Sequence, residues 1–256
     1  MVTRRPAPGV SYQLYSSRKF GPPAETVRML GRLGYDQAEG YAGVYDQAAD
    51  LRRVLDGTGM TMPSGHFPLS MLESEIGQVI DIAGTLGVQA IFCPSLGALD
   101  YPADAGGWQS IGWRLDRIGV RLAAAGLRFG WHNHDFEFQP LADGSLPLDH
   151  IFAGAPMLLW QFDVAWSVVG GQDPFRLIGR HGHRILSAHV KDIAPAGTNP
   201  DQDGWTDVGA GVLDWPALIR ALQRAGCEHF VIEHDNPADD QSFAAISIAS
   251  VREVLA

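Results

Sequence analysis

The residues most able to do chemistry lie close together at 127–138 (LRFGWHNHDFEF), where an apolar run ends in His132, His134, Asp135 and Glu137. In an extended strand alternate side chains share a face, so His132 and His134 point the same way. A single histidine of this kind is more often a hydrogen-bonded core or surface group. A functional reading therefore needs other strands that end alike, and the chain has them. MLLWQF runs into Asp163, ILSA into His189 with Lys191 and Asp192 behind it, and FVI into Glu233 followed by His234 and Asp235. Two earlier strand-like runs add His66 and Glu39. Burying Asp163, His189 and Glu233 without partners would be costly. Two carboxylates and an imidazole form a normal ligand set for Mn²⁺, Mg²⁺ or Zn²⁺. A salt-bridged polar network is the bland alternative. A fourth ligand should come from the fifth strand, where Glu137, His132 and His134 compete. His132 is expected level with Asp163 and His189, and Glu137 lies further along, able to fold back.

The elements that must position these groups follow from periodicity. Segments 10–16, 35–42, 60–67, 90–94, 127–134, 157–166, 185–192 and 229–235 read as strands. Helical patterns fill 26–33, 45–55, 71–86, 108–125, 148–153, 173–179, 214–225 and 242–255. Asp214 and Gly226 supply a cap and a stop, Asp173-Pro174 opens another helix, and a Gly/Pro/Asp-rich loop spans 194–211. Strict alternation implies a parallel sheet, and eight units in this length imply an α/β fold, a closed (β/α)₈ TIM barrel in a single domain over 1–256. A doubly wound open sheet is the competitor, but no GxGxxG turn follows the first strand. In such a barrel the active site lies at the carboxyl ends of the strands, where these residues fall.

The 256 residues are 46% hydrophobic and 19% charged, ordinary for a globular protein with a sizeable core. A net charge of -10 disfavours binding to a phosphate backbone, so no nucleic-acid partner is expected. Two cysteines, Cys93 and Cys227, do not make a disulfide scaffold, and no segment reads as a secretory leader or membrane span. A cytoplasmic protein without membrane contact is expected.

Five segments, WHNHDFEF (131–138), FDVAW with GGQDP (162–174), HVKD (189–192), DVGAGVLDW (207–215) and VIEHD (231–235), together resemble the sugar phosphate isomerase/epimerase family. That family is also described as xylose isomerase-like TIM barrels and shares its fold with endonuclease IV. The resemblance implies a divalent metal, often Mn²⁺, with Zn²⁺, Mg²⁺ or Co²⁺ as alternatives, held by Glu, Asp, His and Glu from the last four strands. Asp163, His189 and Glu233 match the last three. Many relatives place the first Glu where this chain has His132, so Glu137 is the preferred replacement. Ala210 stands where relatives often read Gly-Glu-Gly, removing a carboxylate there.

The expected chemistry is metal-assisted proton abstraction beside a sugar carbonyl through an enediolate, with Glu233 and Glu137 as base and acid. His132 and Lys191 would assist proton transfer. His66, His134, Tyr15, Trp166 and Trp205 would bind a small-molecule carbohydrate by hydrogen bonds and apolar walls. A single Lys and no Gly-rich phosphate turn favour an unphosphorylated sugar, keto-sugar, polyol or glycoside. The rivals are a lyase or dehydratase on a keto-polyol or 3-keto-glycoside, a metal-dependent endonuclease, a Schiff-base aldolase using Lys191, and a non-catalytic sugar-binding barrel. Homo-oligomer formation is left open.

Overall fold

The structure, a computed structural model, describes residues 9–97 and 101–255. The Pro-containing lead at 1–8, where no leader was expected, lies outside the described residues. The barrel strands are β1 (Gly9–Gln13), β2 (Gln37–Gly40), β3 (Thr61–His66), β4 (Ala90–Cys93), β5 (Arg128–His132), β6 (Leu159–Asp163), β7 (Ile185–Val190) and β8 (His229–Ile232). Each pairs in parallel with its neighbours, and β8 closes on β1 from Gly9↔His229 to Tyr12↔Ile232. The expected α/β barrel is thus the observed one. Among the described residues no helix is long and apolar enough to cross a membrane.

Alternation along the strands divides the barrel wall into two chemistries. Tyr12, Ile91, Trp131, Trp160, Phe162 and Phe230 belong to the main apolar core under the helices. Ser11, Gln13, Glu39, Ser64, Gln161, Ser187 and His189 occupy the alternate positions and are all buried. Barrel interiors are usually filled by branched apolar side chains. The polar filling here supports the site above it.

Local sequence explains the helix ends. Asp104 and Asp214 accept from the backbone N–H of Gly107 and Ala217 at 2.8 and 3.0 Å, opening helices Ala105–Ala124 and Trp215–Ala225. Gly226, at φ 99°, terminates the second in a left-handed conformation that favours glycine. Two expected elements differ. The pattern over 71–86 is two helices, Leu69–Ser74 and Ile76–Leu86, because Glu75 (φ -129°, ψ 33°) leaves helical geometry between two separate buried stripes. The sixth strand stops at Asp163 rather than continuing to 166. Asp163 accepts from Trp166 N–H at 2.9 Å and thereby caps the helix Val164–Val169. Within 194–211, Trp205–Thr206 pairs back on Asp192–Ile193 as a short antiparallel ribbon, which seats Trp205 beside the site.

Candidate metal and sugar site

Asp163 and His189 are register partners on β6 and β7. His189 pairs with Val231 on β8, so Glu233 emerges one inward step further along, and its carboxylate reaches back. Asp163 Oδ2 and Glu233 Oε2 each lie 3.8 Å from His189 Nδ1. All three atoms are buried and make no aligned hydrogen bond. They stand within 4.8 Å of one another, a spacing that would let them share one ion. Three converging ligand atoms left without an aligned hydrogen bond are what a structural polar network avoids. The donor set fits a divalent cation.

Lys191, one residue past the end of β7 and two after His189, is fully buried against the same carboxylates. Its ammonium is 2.5 Å from Glu233 Oε2, 3.4 Å from Asp163 Oδ2 and 2.7 Å from Asp235 Oδ2. Only the Asp235 contact is an aligned hydrogen bond. Burial works against the charged lysine, but the Asp163, Asp235 and Glu233 carboxylates outweigh it and raise its pKa. An amine held charged by three carboxylates is a poor nucleophile for imine formation, which counts against a Schiff-base aldolase. Three carboxylates against one ammonium leave negative charge for a bound cation to balance. In keeping with that excess, burial followed by Glu233 raises Asp235 to about 6.

One layer deeper, Glu39 is the centre of the interior network. Its Oε1 accepts from Gln13 Nε2 and His189 Nε2, both at 2.8 Å, and its Oε2 accepts from Ser64 Oγ at 2.5 Å and Gln161 Nε2 at 2.7 Å. Burial would push this carboxyl up, but the His66 and His189 imidazoles and their hydrogen bonds hold it well below the usual range. Because Gln161 gives its amide N–H to Glu39, its carbonyl faces His66 Nε2 at 2.5 Å and His132 Nδ1 at 3.0 Å. In the sequence Glu39 stands out only as a strand-end group, and Gln13, Ser64, Gln161 and Ser187 belong to no motif. The available signal was a polar residue two positions before a ligand, as Gln161 is to Asp163 and Ser187 to His189.

The fifth strand departs from expectation twice. His132 pairs in register with Gln161, not Asp163, and its ring lies 4.5 Å from that of His189, with which it and His66 form a second group of ligand atoms within 4.8 Å of one another. Barrel stagger sets this register, since equal distance from a strand end is not equal height. Glu137 is not among the converging ligand atoms. The 3₁₀ turn Phe136–Phe138 folds it back onto the outer face of β5, where Oε1 accepts from Trp131 Nε1 at 2.7 Å and Oε2 from His134 N–H at 2.9 Å. Both oxygens are committed to closing the turn that presents His134. The ligand and acid roles expected of Glu137 therefore lose their geometric basis.

Burial, the largest influence on Glu137, pushes it up to about 8 despite those hydrogen bonds. A carboxyl raised on folding binds more protons folded than unfolded, so its contribution to stability is present at low pH. That contribution is lost as pH climbs from the ordinary carboxylate range through about 8. Thermal melts at pH 5 and pH 8 should show wild type losing more stability than Glu137→Gln over this interval. Equal losses would show that Glu137 is ionised throughout.

Above the ligands lies a cavity of about 290 Å³ lined by Tyr15, Tyr41, His66, His132, His134, Trp166, Lys191 and Glu233, among others. Tyr15 and Tyr41 meet edge to face at 5.3 Å, forming one aromatic wall, with Trp166 also lining the cavity. His134 Nδ1 is buried without a partner. Burial and then the Lys191 ammonium hold His134 down at about 3, so it stands neutral. Trp205, expected at the substrate, does not line this cavity. It packs edge-on against Trp166 at 4.8 Å and lies 4.8 Å from the Lys191 ammonium. A larger cavity, about 960 Å³, opens at the amino ends of β1, β6, β7 and β8, and Asp163, His189 and Glu233 do not line it.

A family model described as xylose isomerase-like TIM barrel matches residues 27–253. The rhizopine catabolism protein MocC of Rhizobium meliloti is 24% identical over 244 residues, covering 82% of this chain and 74% of that protein. A sugar phosphate isomerase/epimerase from Parabacteroides distasonis superposes with TM-score 0.80 at 18% identity, covering 98% of this chain and 96% of that one. The IolI protein with a bound zinc atom superposes with TM-score 0.78 at 14% identity, covering 96% and 98%. The probable 3-DHS dehydratase AsbF of Bacillus anthracis does so with TM-score 0.72 at 12% identity, covering 95% and 98%. At these identities the superpositions establish a shared fold.

Proposed function

The chain belongs to the xylose isomerase-like TIM barrel family, and from that premise we propose that it is a divalent-metal-dependent isomerase or epimerase of an unphosphorylated sugar or keto-sugar. The observation that carries this reading is the convergence of Asp163 Oδ2, His189 Nδ1 and Glu233 Oε2, which make no aligned hydrogen bond among the described residues, beneath an aromatic-walled cavity. These three residues would hold the ion, with Mn²⁺ proposed first and Zn²⁺, Mg²⁺ or Co²⁺ as alternatives. The zinc atom of the IolI structure supports a metal in this fold. When bound, a divalent cation supplies Lewis-acid polarisation of a carbonyl and stabilises the enediolate charge.

The protein's own groups do the rest. Glu233 takes the proton from the carbon beside the carbonyl. His134, neutral and unpartnered, accepts a substrate hydroxyl or relays the returning proton. His66 and His132 bind hydroxyls from the floor, and Tyr15 and Trp166 cover the apolar face of the sugar. Among the described residues, Lys191 is the one Lys or Arg lining the cavity and is already committed to carboxylates, which supports a substrate without phosphate.

The test is metal content after purification without chelator, on wild type and Asp163→Ala, followed by a keto-sugar screen with Mn²⁺ added. Near-stoichiometric metal in wild type and its loss in the variant are expected. Protein that stays metal-free after reconstitution would overturn the reading in favour of a barrel that binds sugars without transforming them. A lyase acting on a keto-polyol or 3-keto-glycoside is a second reading. It is supported by the fold shared with the probable 3-DHS dehydratase AsbF, at TM-score 0.72. An α,β-unsaturated carbonyl absorbance appearing with turnover distinguishes it from epimerisation.

A further inference from the structure

Glu39 is a fully buried carboxylate that the proposed chemistry does not use, and it does not line the cavity. Burying a charge this deeply is unfavourable unless its oxygens are well hydrogen-bonded, and Glu39 accepts from four donors. Its four donors converge from β1, β3, β6 and β7, so the carboxylate reads the positions of half the barrel's strands. A carboxylate accepts only, so the His189 nitrogen 2.8 Å from Oε1 must carry a hydrogen. That nitrogen is Nε2, and the opposite one, Nδ1, faces Asp163 and Glu233.

We propose that Glu39 is a positioning residue that fixes the ring orientation and tautomer of His189, so that Nδ1 is the nitrogen surrendered to the cation. The proposal rests on the cation site described under the proposed function. Ring nitrogens opposite a metal are commonly held by a carboxylate or carbonyl, which raises ligand basicity as well as fixing geometry. Gln161 works with Glu39. By donating to Oε2 it keeps its own carbonyl toward His66 and His132, so those imidazoles donate downward. A neutral amide at position 39 could not receive four donors, because one of its two terminal atoms is itself a donor.

The test uses Zn²⁺ alone, competed against a chromophoric chelator, on wild type, Glu39→Gln, Glu39→Asp, Ser64→Ala and Asp163→Ala, with ¹⁵N-histidine spectra of the same proteins. Glu39→Gln should weaken Zn²⁺ binding by about ten- to a hundredfold and move the His189 Nε2–H resonance upfield. Glu39→Asp should recover part of both. Ser64→Ala, which loses a Glu39 contact without touching His189, should stay within about threefold of wild type in affinity. That separates positioning of His189 from general loosening of the network. Wild-type binding with Glu39→Gln unchanged in affinity or in its ring-proton signal would overturn this inference alone. Equal losses in Ser64→Ala and Glu39→Gln would overturn it too. Absence of Zn²⁺ binding by wild type would remove the cation site and this inference with it.

Discussion

Glu233→Gln is expected to lower kcat by roughly a hundred- to ten-thousandfold on the keto-sugar that wild type turns over, the usual loss when a positioned base is removed. The substitution keeps volume and removes the charge. Glu233 is held ionised against burial chiefly by the Lys191 ammonium and His189. It is therefore ionised at neutral pH, the form that either accepting a proton or binding a cation requires. These two roles separate experimentally. If the loss is only one of metal affinity, saturating Mn²⁺ restores kcat, whereas loss of the base leaves kcat low at full occupancy. Exchange of the substrate's carbon-bound hydrogen with solvent should fall in parallel. Turnover at the wild-type rate would show that another group removes the proton.

Lys191→Met is expected to destabilise the metal-free protein by about 3–5 kcal/mol, the range seen when one member of a buried ion pair is removed. The substitution replaces the ammonium with a side chain of similar length. It leaves Asp163, Glu233 and Asp235 facing one another without the cation that contacts all three. It also removes the charge that lies 5.1 Å from the Trp166 ring centroid and 4.8 Å from that of Trp205. For a chain of this size the melting temperature should drop by on the order of 10 °C. Added Mn²⁺ should return much of the loss, because a bound divalent ion balances the same carboxylates. A variant melting within a degree or two of wild type would mean that the carboxylates protonate at little cost.

The effects differ in kind because the two residues face the same charges from opposite roles. Glu233 contributes a lone pair that chemistry can use, and Lys191 contributes the field that keeps this lone pair ionised. Asp163 is shared between fold and site, since one oxygen caps the helix Val164–Val169 while the other faces His189. Replacing Asp163 should therefore carry a stability cost of about 1 kcal/mol from the lost cap in addition to loss of metal.

The number of strands, their order and the end of the barrel that carries polar groups were legible in the sequence, because each is set locally. An apolar run buried on both faces, a capping Asp and a terminating Gly act within a few residues of themselves. Asp163, His189 and Glu233 were legible for the same reason, as polar residues ending runs that would otherwise be all apolar. Heights were not. Whether His132 stands level with Asp163 or with Gln161 depends on the stagger between neighbouring strands, a property of the closed barrel. The destination of Glu137 was set by a single 3₁₀ turn that offers it two donors on the outer face of β5. The hub at Glu39 brings together residues up to 150 positions apart, a meeting that exists only once β8 has closed on β1. Local pattern thus determined which groups this protein buries at one end of its barrel. Only the closed sheet decided which of them face one another, because contact across a barrel depends on tilt and stagger that no single strand encodes.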